Sequence, residues 1–134
     1  LRGLYSPGST FKPVVALEGL LSGLITPSLT PVRCGGAQAS YNYYVTSGGP
    51  RCEGIGHVGG GSLNVYDALG YSCNTYFYDL GRREGAENVN EMARQLGLAT
   101  KTGVELSEYT GRTTVKTPAA QPPAGSEILD LSSL

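Results

Sequence analysis

Ser6-Pro7-Gly8-Ser9-Thr10-Phe11-Lys12-Pro13, followed by the apolar run Val14 to Leu24, is the stretch from which the fold follows. Pro7-Gly8 punctuates the chain as a turn. Ser9 then stands at or near a helix start, and Pro13 is tolerable only within a first helical turn. From Val14 to Leu24 the residues are apolar on most faces, which predicts a helix buried inside a larger protein. Such a helix asks for neighbours on several sides.

Ser9 and Lys12 fit the pattern Ser-x-x-Lys. Residues three apart share a helix face, so the spacing predicts a Lys12 amine aimed at the Ser9 hydroxyl. A serine is a poor nucleophile until a base takes its proton. A lysine serves as that base only if its pKa falls, and burial beside Phe11 and Val14-Val15-Ala16-Leu17 would lower it. The helix N-terminus would also direct N–H groups toward a developing oxyanion. Taken alone, the tetrapeptide is weak, and an N-cap serine followed by a solvated lysine is the simpler reading of it.

Outward from this segment, Val32 to Val45 is rich in Tyr and Val and predicts a short hairpin. Gly48 to Gly61 reads as a Gly-rich loop. Helices are expected at about Asn64–Tyr71, Thr75–Glu84 and Ala86–Leu96, the last with Val89, Met92, Ala93 and Leu96 as its apolar stripe. Gly85 and Gly97 close the last two. Leu98 to Leu134 holds turn formers and prolines and reads as an extended connection.

Between the second and third helices lies Ser72-Cys73-Asn74, a polar break that can push a hydroxyl and a carboxamide into a cleft. An interhelix turn alone would also favour Ser and Asn. Ser-x-x-Lys followed by Ser-x-Asn, in the contexts Tyr5-Ser6-Pro7-Gly8-Ser9-Thr10-Phe11-Lys12-Pro13 and Ser72-Cys73-Asn74-Thr75-Tyr76-Phe77-Tyr78, resembles class B penicillin-binding proteins of the cell-elongation type. Gly97 to Leu106 is similar to the corresponding segment of that family, so the likeness runs over nearly the whole chain.

The resemblance implies that Ser9 is the acylated nucleophile, Lys12 its general base, Ser72 a proton relay and Asn74 the residue that grips the substrate amide. It implies a mainly α chain with a short β-hairpin. This would be the helical portion of the α+β penicillin-binding/serine β-lactamase-like fold, with the catalytic sheet largely missing. Residues 1–134 would then be a partial transpeptidase domain. The implied reaction is D,D-transpeptidation of D-Ala-D-Ala stem peptides of peptidoglycan through a serine acyl-enzyme, with covalent capture of β-lactams. No metal and no organic cofactor is called for. Other cell-wall synthesis proteins would be partners of a membrane-anchored parent at the extracytoplasmic face of the bacterial membrane. The alternatives are a serine β-lactamase or penicillin-sensing receptor domain of the same fold, or a non-catalytic fragment.

The third family signature, Lys-Ser/Thr-Gly on a strand, is spelled by Lys101-Thr102-Gly103, close behind Asn74 and just after a helix. It is read as a glycine turn, with the catalytic counterpart expected beyond Leu134. His57 in Gly56-His57-Val58-Gly59 has no Gly-x-Ser-x-Gly elbow to serve and is read as a loop residue.

Three cysteines, Cys34, Cys52 and Cys73, show no Cys-x-x-Cys spacing, and one His adds little for zinc. Cys34 and Cys52 could form a disulfide or remain thiols, and Cys73 could pack inward as a small apolar group. A net charge of -1 predicts no nucleic-acid partner. The longest apolar run, broken by Glu18, Gly19, Ser22 and Gly23, is too short for a membrane segment. Leu1 in place of Met and the apolar close at Ile128–Leu134 suggest cut ends.

Overall fold

Hydrogen bonding around Pro7-Gly8 sets the entry. Thr10 N and Oγ1 both donate to Pro7 O, at 3.2 and 2.5 Å, and Gly8–Phe11 winds as a 3-10 turn. The structure is a computed structural model that describes residues 7–34, 52, 62–108 and 110. The turn runs directly into α1 (Lys12–Leu21), with Pro13 in its first turn as its missing N–H requires. The helix ends at Leu21 rather than Leu24, because Gly23 takes a left-handed φ of 77° and the chain turns there.

After α1 come β1 (Val32–Arg33), β2 (Ser62–Leu63), α2 (Val65–Gly70), α3 (Asn74–Glu84) and α4 (Ala86–Gln95). The strands pair antiparallel, Val32 opposite Leu63 and Arg33 opposite Ser62. The second strand thus comes from the end of the Gly-rich stretch. The rest of the expected hairpin, most of the loop with His57, and residues 111–134 lie outside the described residues. The observed content is mostly helical with one short antiparallel pair, as the resemblance implies.

Both α3 and α4 pack on α1, and α3 also reaches β1. Val15, Tyr76, Phe77, Leu80, Val89 and Ala93 are buried at this junction. Close approach is permitted at Gly19, where an added Cβ would fall 2.8 Å from Glu84 Oε1 and 2.9 Å from Leu80 Cδ1. Met92 and Val89 pack inward as expected, but Leu96 is 51% exposed. It follows the last residue of α4 as its C-cap, where the helical stripe has lost its register against the core. Leu21, 69% exposed, likewise shows that the α1 face is not covered all round by the described residues.

Glu84 is buried at the α1–α3 contact, and its two oxygens have no hydrogen-bond partner among the described residues. The neighbouring backbone at Gly19 belongs to α1, whose N–H groups serve the helix's own ladder. Burial, with Glu18 nearby, pushes the carboxyl up to about 9, while Arg83 acts against the rise. A carboxyl raised in the folded state holds its proton while the unfolded chain ionises. Its favourable contribution is therefore full below the unfolded value and is lost as pH climbs toward about 9. Glu84→Gln is expected to stabilise the chain at pH 7 by about 1–2 kcal/mol, a Tm rise of several degrees, with no gain at pH 4. Thermal melts at the two pH values check this. An equal gain at both would place the effect in packing and not in the proton.

Candidate active site

The serine of Ser72-Cys73-Asn74 is held by a helix ending. After α2, Cys73 N donates to Ala68 O at 2.9 Å and Ser72 N to Leu69 O at 3.1 Å. This pair of bonds is a Schellman closure, and it puts Ser72 at the position that normally takes glycine in a left-handed conformation. Ser72 has φ 53°. The same closure ends α4, with Leu98 N to Ala93 O and Gly97 N to Arg94 O, and there the left-handed residue is Gly97 at φ 86°. A serine in that place costs on the order of 1–2 kcal/mol over glycine. What the serine supplies is a hydroxyl at a fixed point. Cys73 then caps α3, its sulfur accepting from Tyr76 N at 3.5 Å, and Asn74 becomes the first residue of the helix.

Three acceptors converge on Lys12. Its Nζ donates to Asn74 Oδ1 at 2.6 Å, Ser72 O at 2.7 Å and Ser72 Oγ at 2.9 Å. Ser72 Oγ in turn donates to Ser9 Oγ at 3.0 Å. The Ser-x-x-Lys spacing predicts a direct approach of Lys12 to Ser9. In the structure the connection runs through Ser72 instead, as Lys12 Nζ, Ser72 Oγ, Ser9 Oγ. The acceptors explain the difference: the carbonyl of Ser72 and the amide of Asn74 draw the ammonium toward the interhelix break.

Lys12 is only 9% exposed, and burial lowers its pKa below the ordinary lysine range; the sulfurs of Cys52 and Cys73 act in the opposite sense. Its Nζ also lies 5.8 Å from the centre of the Phe77 ring. Ser9, by contrast, is exposed. Beside it opens a cavity of about 230 Å³, bounded by Gly8, Ser9, Phe11 and Lys12 on one side and Asn74, Phe77 and Tyr78 on the other. A reactant entering there meets the hydroxyl first and the buried amine behind it.

Lys101-Thr102-Gly103 is not on a strand. It lies beyond α4 as an exposed segment, with Gly103 at φ 86°. The Glu108 carboxylate accepts from the backbone N–H groups of Thr102, at 3.0 Å, and Gly103, at 3.4 Å, and from the Thr102 hydroxyl. The hydrogen bond from Thr102 holds the Glu108 carboxyl below its usual range. None of the three residues borders the Ser9 cavity.

The sequence 1–121 matches the family described as the penicillin binding protein transpeptidase domain. The chain belongs to that family.

Among its relatives, the peptidoglycan D,D-transpeptidase MrdA of Acinetobacter baumannii is 34% identical over 107 residues, covering 79% of this chain and 15% of the relative. The peptidoglycan D,D-transpeptidase PbpA of Mycobacterium tuberculosis is 36% identical over 98 residues, covering 70% of this chain and 18% of its own length. The crystal structure of Pseudomonas aeruginosa PBP2 in complex with WCK 5153 superposes with a TM-score of 0.62 at 32% identity, over 79% of this chain and 23% of that one. The chain therefore spans a small part of the penicillin-binding proteins it matches, and the fold it shares with them is that of the PBP2-type transpeptidase domain. Among the described residues no helix is long and apolar enough to cross a membrane.

Sequence spacing gives no signal of one cluster behind the site. The sulfurs of Cys34, Cys52 and Cys73 all lie within 4.8 Å of one another, and all three residues are buried thiols. Residue 34 comes directly after β1 and residue 73 caps α3, so only the folded contact of β1 with α3 brings them together. Among the described residues this is the donor set that could hold a metal, and three thiolates suit a soft tetrahedral ion such as zinc. Each thiol would have to lose its proton first, and burial pushes the Cys73 thiol well above its usual range.

Proposed function

We propose that this chain carries the nucleophile wall of a peptidoglycan D,D-transpeptidase that works through a serine acyl-enzyme. The observation that supports the reading most strongly is the hydrogen-bonded chain from Lys12 Nζ through Ser72 Oγ to Ser9 Oγ. With Lys12 neutral, as burial favours, both bonds reverse: Ser72 Oγ gives its proton to Lys12 Nζ and takes the Ser9 proton, and Ser9 Oγ attacks the carbonyl of a D-Ala-D-Ala stem. The tetrahedral oxyanion is met by the Ser9 backbone N–H at the start of the helix. Collapse breaks the peptide bond. The leaving D-Ala amine receives its proton through Ser72, and the acyl group stays on Ser9. An amine from a neighbouring stem then attacks the ester and restores the hydroxyl. In this reading Asn74, which accepts from Lys12, grips the amide of the donor stem.

In this reading Ser9, Lys12 and Ser72 are the catalytic residues and Asn74 is the substrate-binding one. β-Lactams imitate the stem and are trapped as the acyl-enzyme. The whole protein acts on the extracytoplasmic face of the bacterial membrane, anchored outside this segment and working with other cell-wall synthesis proteins. Labelling of the full-length protein with a fluorescent penicillin tests the reading. A stable covalent adduct is expected. Rapid release of hydrolysed antibiotic would instead make the chain part of a β-lactamase.

A further inference from the structure

Asn74 and Phe77 stand three residues apart in the first turn of α3 and share one helix face. That face gives Lys12 an acceptor, Asn74 Oδ1 at 2.6 Å, and one turn further on an aromatic ring. Lys12 Nζ lies over the Phe77 ring, 5.8 Å from its centre, inside the range of about 6 Å at which a cation feels the negative face of an aromatic. The ring is fixed in place. Phe77 is 1% exposed and meets Tyr76 edge to face, with ring centres 5.2 Å apart.

We propose that Phe77 is a positioning residue of the acyl-transfer reaction, whose ring steadies the ammonium that forms when Lys12 takes up a proton from the serine relay. The consequence for rate rests on the transpeptidase reading, whereas the hold of the ring on the amine does not. An ammonium has three N–H donors, and Asn74 Oδ1, Ser72 O and Ser72 Oγ accept all three. The ring therefore adds no hydrogen bond and acts on the charge. That charge changes during the reaction. Ser72 Oγ gives its proton to Lys12 Nζ and takes the one from Ser9 Oγ. One positive charge appears at Nζ as one negative charge passes to the attacked carbonyl oxygen. A ring face attracts Nζ in its charged form, so it acts in the direction of proton uptake.

Two effects of the same side chain oppose each other. The bulk of Phe77, on the wall of the cavity that Lys12 also borders, keeps water from the amine and lowers its pKa. The π face raises it. Burial as a whole wins, since the Lys12 amine stands below the ordinary lysine range. Only a change that alters the face and keeps the bulk separates the two. Among the described residues Cys52 and Cys73 are the ionisable side chains that act on the amine, and they are the same in every variant, so their effect cancels from the comparison.

The experiment replaces Phe77 in the full-length protein by phenylalanines carrying one, two and three fluorines, which weaken the negative ring face stepwise at nearly constant shape. Penicillin acylation is followed against pH. The rising limb that reports Lys12 should move to lower pH step by step, by about half a unit to one unit at three fluorines, because the ammonium is held less well. The rate on the plateau above the limb should fall about 2- to 10-fold. Phe77→Leu should move the limb in the same direction. If that variant fails to fold, the fluorinated series decides, because its members keep the ring. Competitive acetylation of Lys12 against pH, mapped by mass spectrometry, follows the amine without calling on Ser9 chemistry and should show the same downward shift. A Lys12 titration that stays in place through the series, or moves upward, would overturn the proposal. A shifted titration beside an unshifted acylation limb would overturn its link to the rate. No acylation of the unsubstituted protein would instead count against the transpeptidase reading.

Discussion

Lys12→Ala in the full-length protein is expected to slow acylation of Ser9 by penicillin by about 10²–10⁴-fold, the usual range for loss of a general base. The geometry gives the reason. Lys12 Nζ, Ser72 Oγ and Ser9 Oγ are hydrogen-bonded in line, so a neutral amine at one end can receive, through Ser72, the proton of the other. Without the amine the relay ends at a hydroxyl that has no base behind it. Lys12→Met keeps the bulk of the side chain against Phe77 and separates packing from proton transfer. Both variants should behave alike if the proton matters. The pH profile adds a further check. Burial lowers the Lys12 pKa, so the wild-type acylation rate should climb with pH along a limb centred below the ordinary lysine range. That limb should vanish in Lys12→Met. A Lys12→Met protein that keeps both the rate and the limb would assign the base elsewhere.

The second large effect concerns the chain by itself. These 134 residues are expected to acylate on the order of 10³-fold more slowly than the full-length protein, or not at all, although Ser9, Lys12, Ser72 and Asn74 are all present. Each donor aimed at the oxyanion is worth roughly 10²–10³ in rate, and in the proposed mechanism the Ser9 N–H is one such donor. By resemblance the other comes from a Lys-Ser/Thr-Gly strand. Lys101-Thr102-Gly103 does not stand in for it, because its N–H groups at Thr102 and Gly103 are turned to Glu108. Catalytic groups that act as a unit lose most of their effect when one is removed. Exposed apolar side chains at Leu21, Tyr66, Leu96 and Leu106 also predict self-association of the isolated chain. Labelled-penicillin kinetics for chain and full-length protein at equal concentration measure the difference. Equal rates would mean that the described wall suffices.

Local chemistry makes much of this legible in the sequence. Glycines in left-handed conformations at Gly85 and Gly97 mark the helix ends that the sequence predicts. Pro13 fixes the beginning of α1, and Asn64 caps α2 through Asp67 N. The polar break at Ser72 is visible, but its left-handed serine is not, because serine gives no signal for that conformation. The direct contact expected between Lys12 and Ser9 assumes an α-helix through both. The acceptors on the other side of the cleft move the amine to Ser72. The sulfur cluster depends on the pairing of distant segments, and no spacing rule reaches from residue 34 to residue 73. Glu84 reads as the end of an ordinary helix. Its burial arises only because α1 approaches at Gly19.

The most direct measurement is the site of covalent attachment. The full-length protein is labelled with penicillin, digested, and sequenced by mass spectrometry. The adduct is predicted on Ser9, with no labelling of Ser9→Ala that retains its melting transition. Labelling of Ser9→Ala at the wild-type level, or an adduct on any other residue, would contradict the assignment of Ser9 as the nucleophile.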